Sequence, residues 1–154
     1  MKEKFIIHNG VLEAYNGASP VVIIPDGVLH IKTFCFEEQP IEKVILPSSV
    51  TEVSRCAFSC CSTLKEVIIP DSVTSIGEKA FWSCESLTSV TIPDSVTTIG
   101  DAVFRECDKL NPLKITTPVF SLKVFPNHFT VSEYCQYCAG KLQNHKCIRC
   151  GQEA

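Results

Sequence analysis

The chain has 154 residues, with 14 Lys and Arg against 17 Asp and Glu, for a formal net charge of −3. That length suits one domain able to bury a core without covalent staples. The slight acidity argues against a chain built mainly to hold phosphate backbones, and an apolar content of 45% excludes wholesale disorder.

The opening residues, 1–21, contain too short an apolar stretch for a secretory leader. The chain as it stands is therefore expected in the cytoplasm, with a secreted or cell-surface location as the alternative. The longest unbroken apolar run, Val21-Val22-Ile23-Ile24, rules out a transmembrane helix.

Repeats dominate residues 22–116. Val44-Ile45-Leu46-Pro47-Ser48-Ser49-Val50, Val67-Ile68-Ile69-Pro70-Asp71-Ser72-Val73 and Val90-Thr91-Ile92-Pro93-Asp94-Ser95-Val96 align without gaps, 23 residues apart. An earlier copy, Val22-Ile23-Ile24-Pro25-Asp26-Gly27-Val28, lies 22 residues upstream, and Leu113-Lys114-Ile115-Thr116 is a degenerate last strand. Columns of like residues follow: Val28, Val50, Val73 and Val96; Ile31, Val53, Ile76 and Ile99; Phe36, Phe58, Phe81 and Phe104; Ile41, Leu64, Leu87 and Leu110. A coil of this length cannot bury its own apolar side, so like positions stack and the phenylalanines form a ladder. Val67-Ile68-Ile69 should alternate in, out, in as a strand. Pro70-Asp71-Ser72 turns the chain, and residues 73–77 form a second extended segment. Gly77 and Gly100 are expected at positive φ. Residues 78–81 and 101–104 are each expected to make a single helical turn. The predicted fold is mainly β, a flattened right-handed solenoid with a parallel sheet.

The stretch Ile69 to Leu87 carries the pattern Ile-Pro-Asp-Ser-Val-Thr-x-Ile-Gly-x-x-Ala-Phe-x-x-Cys-x-x-Leu, and Ile92 to Leu110 departs from it only at Val103. Over residues 22–116 the chain resembles the BspA-like (Treponema-type) leucine-rich repeat family. Asn9-Gly10-Val11-Leu12-Glu13-Ala14-Tyr15-Asn16-Gly17 is similar to the segment that often precedes such repeats, and is expected to form a hairpin capping the first coil. The resemblance implies a leucine-rich-repeat solenoid that binds or scaffolds rather than catalyses. Many relatives are secreted or surface-attached.

The ten cysteines fall into two populations. Cys61, Cys84 and Cys107 share a column, where stacking brings neighbours within disulfide range. Three thiols cannot all pair, so they read as small, reduced packing residues. Cys35, Cys56 and Cys60 have no column partners, and Cys60 should point away from the core. Cys135-Gln136-Tyr137-Cys138 and Cys147-Ile148-Arg149-Cys150 are different: two C-x-x-C pairs with eight residues between them signal zinc. Four thiolates close a tetrahedral shell, giving one structural Zn²⁺ in a tail with little apolar content of its own. Residues 135–154 thus resemble a short zinc ribbon, its connector, residues 139–146, suiting a hairpin. A redox pair, disulfides, iron in place of zinc, and His145 as a substitute ligand are the alternatives.

Residues 117–134 break the period. Phe120, Leu122, Val124, Phe125 and Phe129 make them a candidate C-terminal cap over the last coil, with a flexible tether as the alternative. Outward strand positions Ile23, Ile45, Ile68 and Thr91, flanked by Lys43, Glu66 and Ser89, are the candidate partner site. No catalytic residues emerge. His8, His30, His128 and His145 are scattered, Asp26, Asp71 and Asp94 are turn residues, and no glycine-rich phosphate loop is present. The expected function is a non-enzymatic protein–protein interaction or scaffold module with a structural zinc site. Nucleic-acid binding through the ribbon is an alternative resting on Lys141, Lys146, Arg149, Tyr134 and Tyr137. A secreted adhesin-like module is another. Neither a membrane nor a small-molecule substrate is expected.

Overall fold

The computed structural model describes residues 5–110 and two short strands further on, at 142–143 and 146–147. Each coil contributes one strand to each of two parallel walls. Strands β3 (Val21–Ile23), β5 (Lys43–Ile45), β7 (Glu66–Ile68) and β9 (Ser89–Thr91) pair in parallel as a four-stranded sheet. Strands β4 (His30–Ile31), β6 (Glu52–Val53), β8 (Ser75–Ile76) and β10 (Thr98–Ile99) form the second wall. Its register, Ile31 against Val53 against Ile76 against Ile99, is the column read from the sequence.

At the N-terminal end β1 (Phe5–His8) and β2 (Val11–Tyr15) pair antiparallel, and β2 extends the second wall by pairing in parallel with β4. Asn9 and Gly10 both have positive φ, 50° and 77°, the combination a two-residue hairpin turn of primed type requires. Tyr15 then packs on Phe36 with ring centroids 5.2 Å apart, and Phe5 on Tyr15 at 5.2 Å. The hairpin thus continues the phenylalanine ladder beyond the repeats. Within the coils Phe36, Phe58, Phe81 and Phe104 stack at 4.8, 5.2 and 5.6 Å with interplanar angles of 10° or less. All four rings are fully buried, as are the valine column and the inward strand residues Val22, Val44, Val67 and Val90.

The third side of each coil departs from expectation. No helical turn forms at 78–81 or 101–104. Instead two non-glycine residues per coil adopt left-handed φ: Phe34, Cys56, Lys79 and Ala102 before the phenylalanine, and Glu38, Cys60, Ser83 and Glu106 after it. The reason lies in where the N–H groups go. Cys56, Phe58 and Cys60 donate to the carbonyls of Glu78, Ala80 and Trp82 in the next coil, whereas Ala57, Ser59 and Cys61 donate locally to residues three back. Alternating the backbone this way lets a turn wall bond coil to coil without being a sheet, which satisfies groups that burial would otherwise penalise.

Gly77 and Gly100 are also corrected: neither has positive φ, and positive-φ glycines in the described region are Gly10 and Gly27. Their role is close approach. A Cβ on Gly77 would sit 2.4 Å from the Arg55 backbone nitrogen, and one on Gly100 would sit 2.3 Å from that of Glu78.

The candidate cap at 117–134 and the degenerate strand at 113–116 lie outside the described residues. Strands β11 (Leu142–Gln143) and β12 (Lys146–Cys147) pair antiparallel, Leu142 opposite Cys147 and Gln143 opposite Lys146.

Candidate interaction surface and cysteine sites

The strand alternation forced by the pleat places Val22, Val44, Val67 and Val90 inward, so their neighbours face solvent. Two outward rows result. The first is Ile23, Ile45, Ile68 and Thr91, brought into line by the parallel register. Ile23 is 60% exposed, Ile68 is 42% exposed, and Ile45 is half-buried between them. The second row is Val21, Lys43, Glu66 and Ser89, and Val21 is also exposed. Lys43 Nζ lies 2.8 Å from Glu66 Oε2, and Lys65 Nζ lies 2.8 Å from Glu42 Oε2. These paired surface charges contribute little stability each. Their consequence is that the flank of the isoleucine row on the side of Lys43 and Glu66 is neutral, while the turn side carries the exposed carboxylates of Asp26, Asp71 and Asp94. A shallow hollow of about 300 Å³ opens between β7 and β9, lined by 66–69 and 89–91.

The cysteine column has a structural explanation that spacing alone did not reveal. Cys61 Sγ donates to the Phe36 carbonyl at 2.9 Å, Cys84 to Phe58 at 3.2 Å and Cys107 to Phe81 at 3.1 Å. Each thiol thus satisfies the carbonyl of a phenylalanine in the coil before it, and all three are fully buried. Ser49, Ser72 and Ser95 do the same at the opposite turn, their hydroxyls donating to the Val28, Val50 and Val73 carbonyls. Burial pushes the Cys35 and Cys61 thiols up to about 12, and the neighbouring Cys107 thiol followed by burial pushes Cys84 well up. Cys60 is half-buried, and its thiol is raised by burial and then by Glu37 and Glu38. All six described cysteines are free.

Since the thiolate is the reactive form, the native chain at mildly alkaline pH should leave Cys35, Cys61 and Cys84 unlabelled by iodoacetamide. Mass spectrometry of labelled peptides checks this; rapid labelling of Cys84 would contradict the assignment. Replacing Cys84 by Ala leaves the Phe58 carbonyl with only the longer bond from the Cys61 N–H, at 3.4 Å, and should cost about 1 kcal/mol in urea unfolding. Cys84→Ser, which keeps a donor, should cost less.

Among the described residues, His8 and His30 do not converge on a nucleophile. His8 Nδ1 lies 3.0 Å from Glu13 Oε2, and His30 Nδ1 lies 3.7 Å from Glu52 Oε2. The His8 hydrogen bond, with the Lys32 ammonium behind it, holds the Glu13 carboxyl below the usual carboxylate range. His128 and His145 lie outside the described residues. So do Cys135, Cys138 and Cys150, while Cys147 is placed only as a backbone position in β12. Lys141, Arg149, Tyr134 and Tyr137 are likewise outside. Among the described residues no group of three or more His, Cys, Asp or Glu is placed to hold a metal ion. Nor is any helix among them long and apolar enough to cross a membrane.

Some surface features were not anticipated. Leu29 and Phe34 are exposed on the first coil, where later coils carry Thr51, Thr74 and Thr97 or Cys56, Lys79 and Ala102. The same alignment that gave the core columns holds that signal in its outward positions.

Comparison with known proteins agrees with this architecture. A model of the BspA type leucine rich repeat region matches residues 15–138 with six copies. That range begins at Tyr15, the residue that carries the ladder into the hairpin, and runs past residue 116. A leucine rich repeat protein of T. pallidum superposes with a TM-score of 0.65 at 28% identity, over 75% of this chain and 60% of that one. A leucine-rich repeat protein from Bacteroides capillosus gives a TM-score of 0.65 at 30% identity, over 75% of this chain and 93% of that one. A leucine rich cell surface protein from Faecalibacterium prausnitzii gives 0.61 at 26%, over 71% of this chain and 35% of that one. This chain therefore spans well under the full length of some of its structural relatives. No curated protein sequence matches it. A family match over most of the chain, on coils that stack as those of solved relatives do, means that the chain belongs to the BspA-type leucine-rich repeat proteins.

Proposed function

We propose that the chain is a non-enzymatic protein-binding or scaffold module that docks its partner on the outer face of the four-stranded sheet, along Ile23, Ile45, Ile68 and Thr91. The observation that carries this reading is the exposure of Val21, Ile23 and Ile68 in adjoining rows, beside charges that are already paired with one another. Exposed apolar side chains that adjoin one another are a mark of a contact surface. The test is a photo-cross-linking side chain placed at Ile45, compared with one at Thr74 on the opposite wall. Captured proteins should be specific to the Ile45 position and should be lost when Ile23 and Ile68 are both changed to Lys. Equal capture from both walls removes the reading.

The tail is proposed to hold one structural Zn²⁺ through Cys135, Cys138, Cys147 and Cys150. Two C-x-x-C pairs are a complete thiolate set for that ion. The antiparallel pairing of β11 with β12 supplies the hairpin such a connector needs. Elemental analysis of the chain should find one zinc per chain, with the metal lost on Cys135→Ser. No metal, together with four thiols missing from a denatured count, would mean disulfides instead.

A cell-surface setting is favoured over a cytoplasmic one by the Faecalibacterium prausnitzii relative, which is described as a cell surface protein. Fractionation of the source cells with an antibody to the chain distinguishes the two.

A further inference from the structure

The spacing of the outward row identifies the kind of segment that fits it. Rungs repeat along the solenoid at 4.8–5.6 Å, as the stacked phenylalanines record. From Ile23 to Ile68 is two rungs, roughly 10 Å along the axis at β-sheet spacing. An α-helix advances about 10.5 Å from i to i+7, with i+3 or i+4 falling midway. An extended strand lying in the same direction puts same-face side chains roughly 6.6–6.8 Å apart, so it is out of step by the third residue. The face is also narrow, because each strand has only three residues. Its long direction therefore runs across the strands, along the row itself.

Polarity adds an orientation. The row is most apolar at the first coil, where Val21 and Ile23 are both exposed, and ends in Ser89 and Thr91 at the fourth. The flanking Lys43 and Glu66 neutralise each other at 2.8 Å, so an occupant needs no charge of its own on the contacting side. The hollow between β7 and β9 lies at the far end of the row and has room for a side chain.

We propose that the partner segment is an amphipathic α-helix with an uncharged apolar stripe at i, i+3 or i+4, and i+7, lying across β3, β5 and β7 and seating one further side chain in the hollow between β7 and β9. This rests on the docking reading above and names the chemistry of its occupant. A helix seated this way buries Val21, Ile23, Ile45 and Ile68 together and leaves the Lys43–Glu66 pair at the rim.

The experiment uses the full chain labelled with ¹⁵N and two synthetic probes. One is a neutral helical peptide of about 18 residues, long enough to hold helix in water, with leucines at i, i+4 and i+7. The other has the same composition with leucines at alternate positions. The helical probe should shift amide resonances of β3, β5 and β7 in a saturable way, and Ile45→Lys should weaken it at least tenfold while Thr74→Lys leaves it unchanged. If the alternating probe shifts those amides and the helical probe does not, the occupant is a strand and the inference is overturned while the docking face stands. If neither probe shifts them but cross-linking from Ile45 remains specific, the helix is again overturned and the docking face stands. If cross-linking specificity also fails, both fall.

Discussion

Phe58→Ala should be among the most damaging single substitutions in the chain, costing about 3–5 kcal/mol of unfolding free energy. Phe58 is fully buried and lies between two near-parallel rings, Phe36 at 4.8 Å and Phe81 at 5.2 Å. Truncation removes the buried ring area and both ring contacts and leaves a hole that the flanking coils cannot close, because the wall hydrogen bonds fix their spacing. A domain with a total stability of about 5–15 kcal/mol loses a large share of it. The position adds to the effect. A solenoid is held together by nearest-neighbour interfaces, and Phe58 belongs to two of them. Urea unfolding followed by circular dichroism, and by fluorescence of Trp82, the single tryptophan, should show a lower midpoint. The two probes should also separate as the first coils uncouple from the later ones. Phe58→Leu, which fills most of the space, should cost clearly less. A loss below about 1 kcal/mol for the alanine variant would mean the ladder is not what couples the coils.

The ladder was legible in the sequence because identical residues recur at a fixed interval and stacking turns recurrence into contact. The inward valines and the Ile31 to Ile99 column were legible for the same reason. What the sequence concealed is the backbone of the turn wall. Its left-handed positions carry Phe34, Cys56, Lys79, Ala102, Glu38, Cys60, Ser83 and Glu106. None is a glycine or asparagine, the residues that normally announce such a conformation. Glu38, Cys56, Cys60, Lys79 and Ser83 are held there by N–H bonds to the next coil, a constraint between coils that leaves no mark on composition. The cysteine column was half legible. Its spacing predicted stacking, but the acceptor for each thiol is a main-chain carbonyl, which no sequence pattern displays. On the candidate site, the outward row came directly from strand alternation. The neutral flank depends on which lysine meets which glutamate, and that follows only once the register between coils is known.

Gly77→Ala should be as severe for a different reason, and it tests a distinction the sequence could not make. A glycine before a turn suggests positive φ, but Gly77 has none. The added Cβ would meet the Arg55 nitrogen at 2.4 Å and the Ser54 carbonyl carbon at 2.7 Å, both backbone atoms that cannot rotate away. Lys32 and Ser54 occupy the same column in the earlier coils, so the tight approach begins where the third coil packs on the second. Relief requires the two coils to move apart by about 1 Å, the gap between this contact and ordinary van der Waals distance. The Gly77 N–H to Val53 carbonyl bond of 2.8 Å lies in the same interface and would be stretched with it. The expected cost is about 3 kcal/mol or more, at the upper end of what overpacking produces. Gly27→Ala is the matched contrast. Gly27 has φ of 87°, and a Cβ added there would meet nothing within 4 Å. Only left-handed strain applies to it, about 1–2 kcal/mol. Thermal and urea unfolding of the two variants should rank Gly77→Ala as the more destabilised. The reverse order would mean that conformational strain, rather than the approach of one coil's backbone to the next, sets where this solenoid needs glycine.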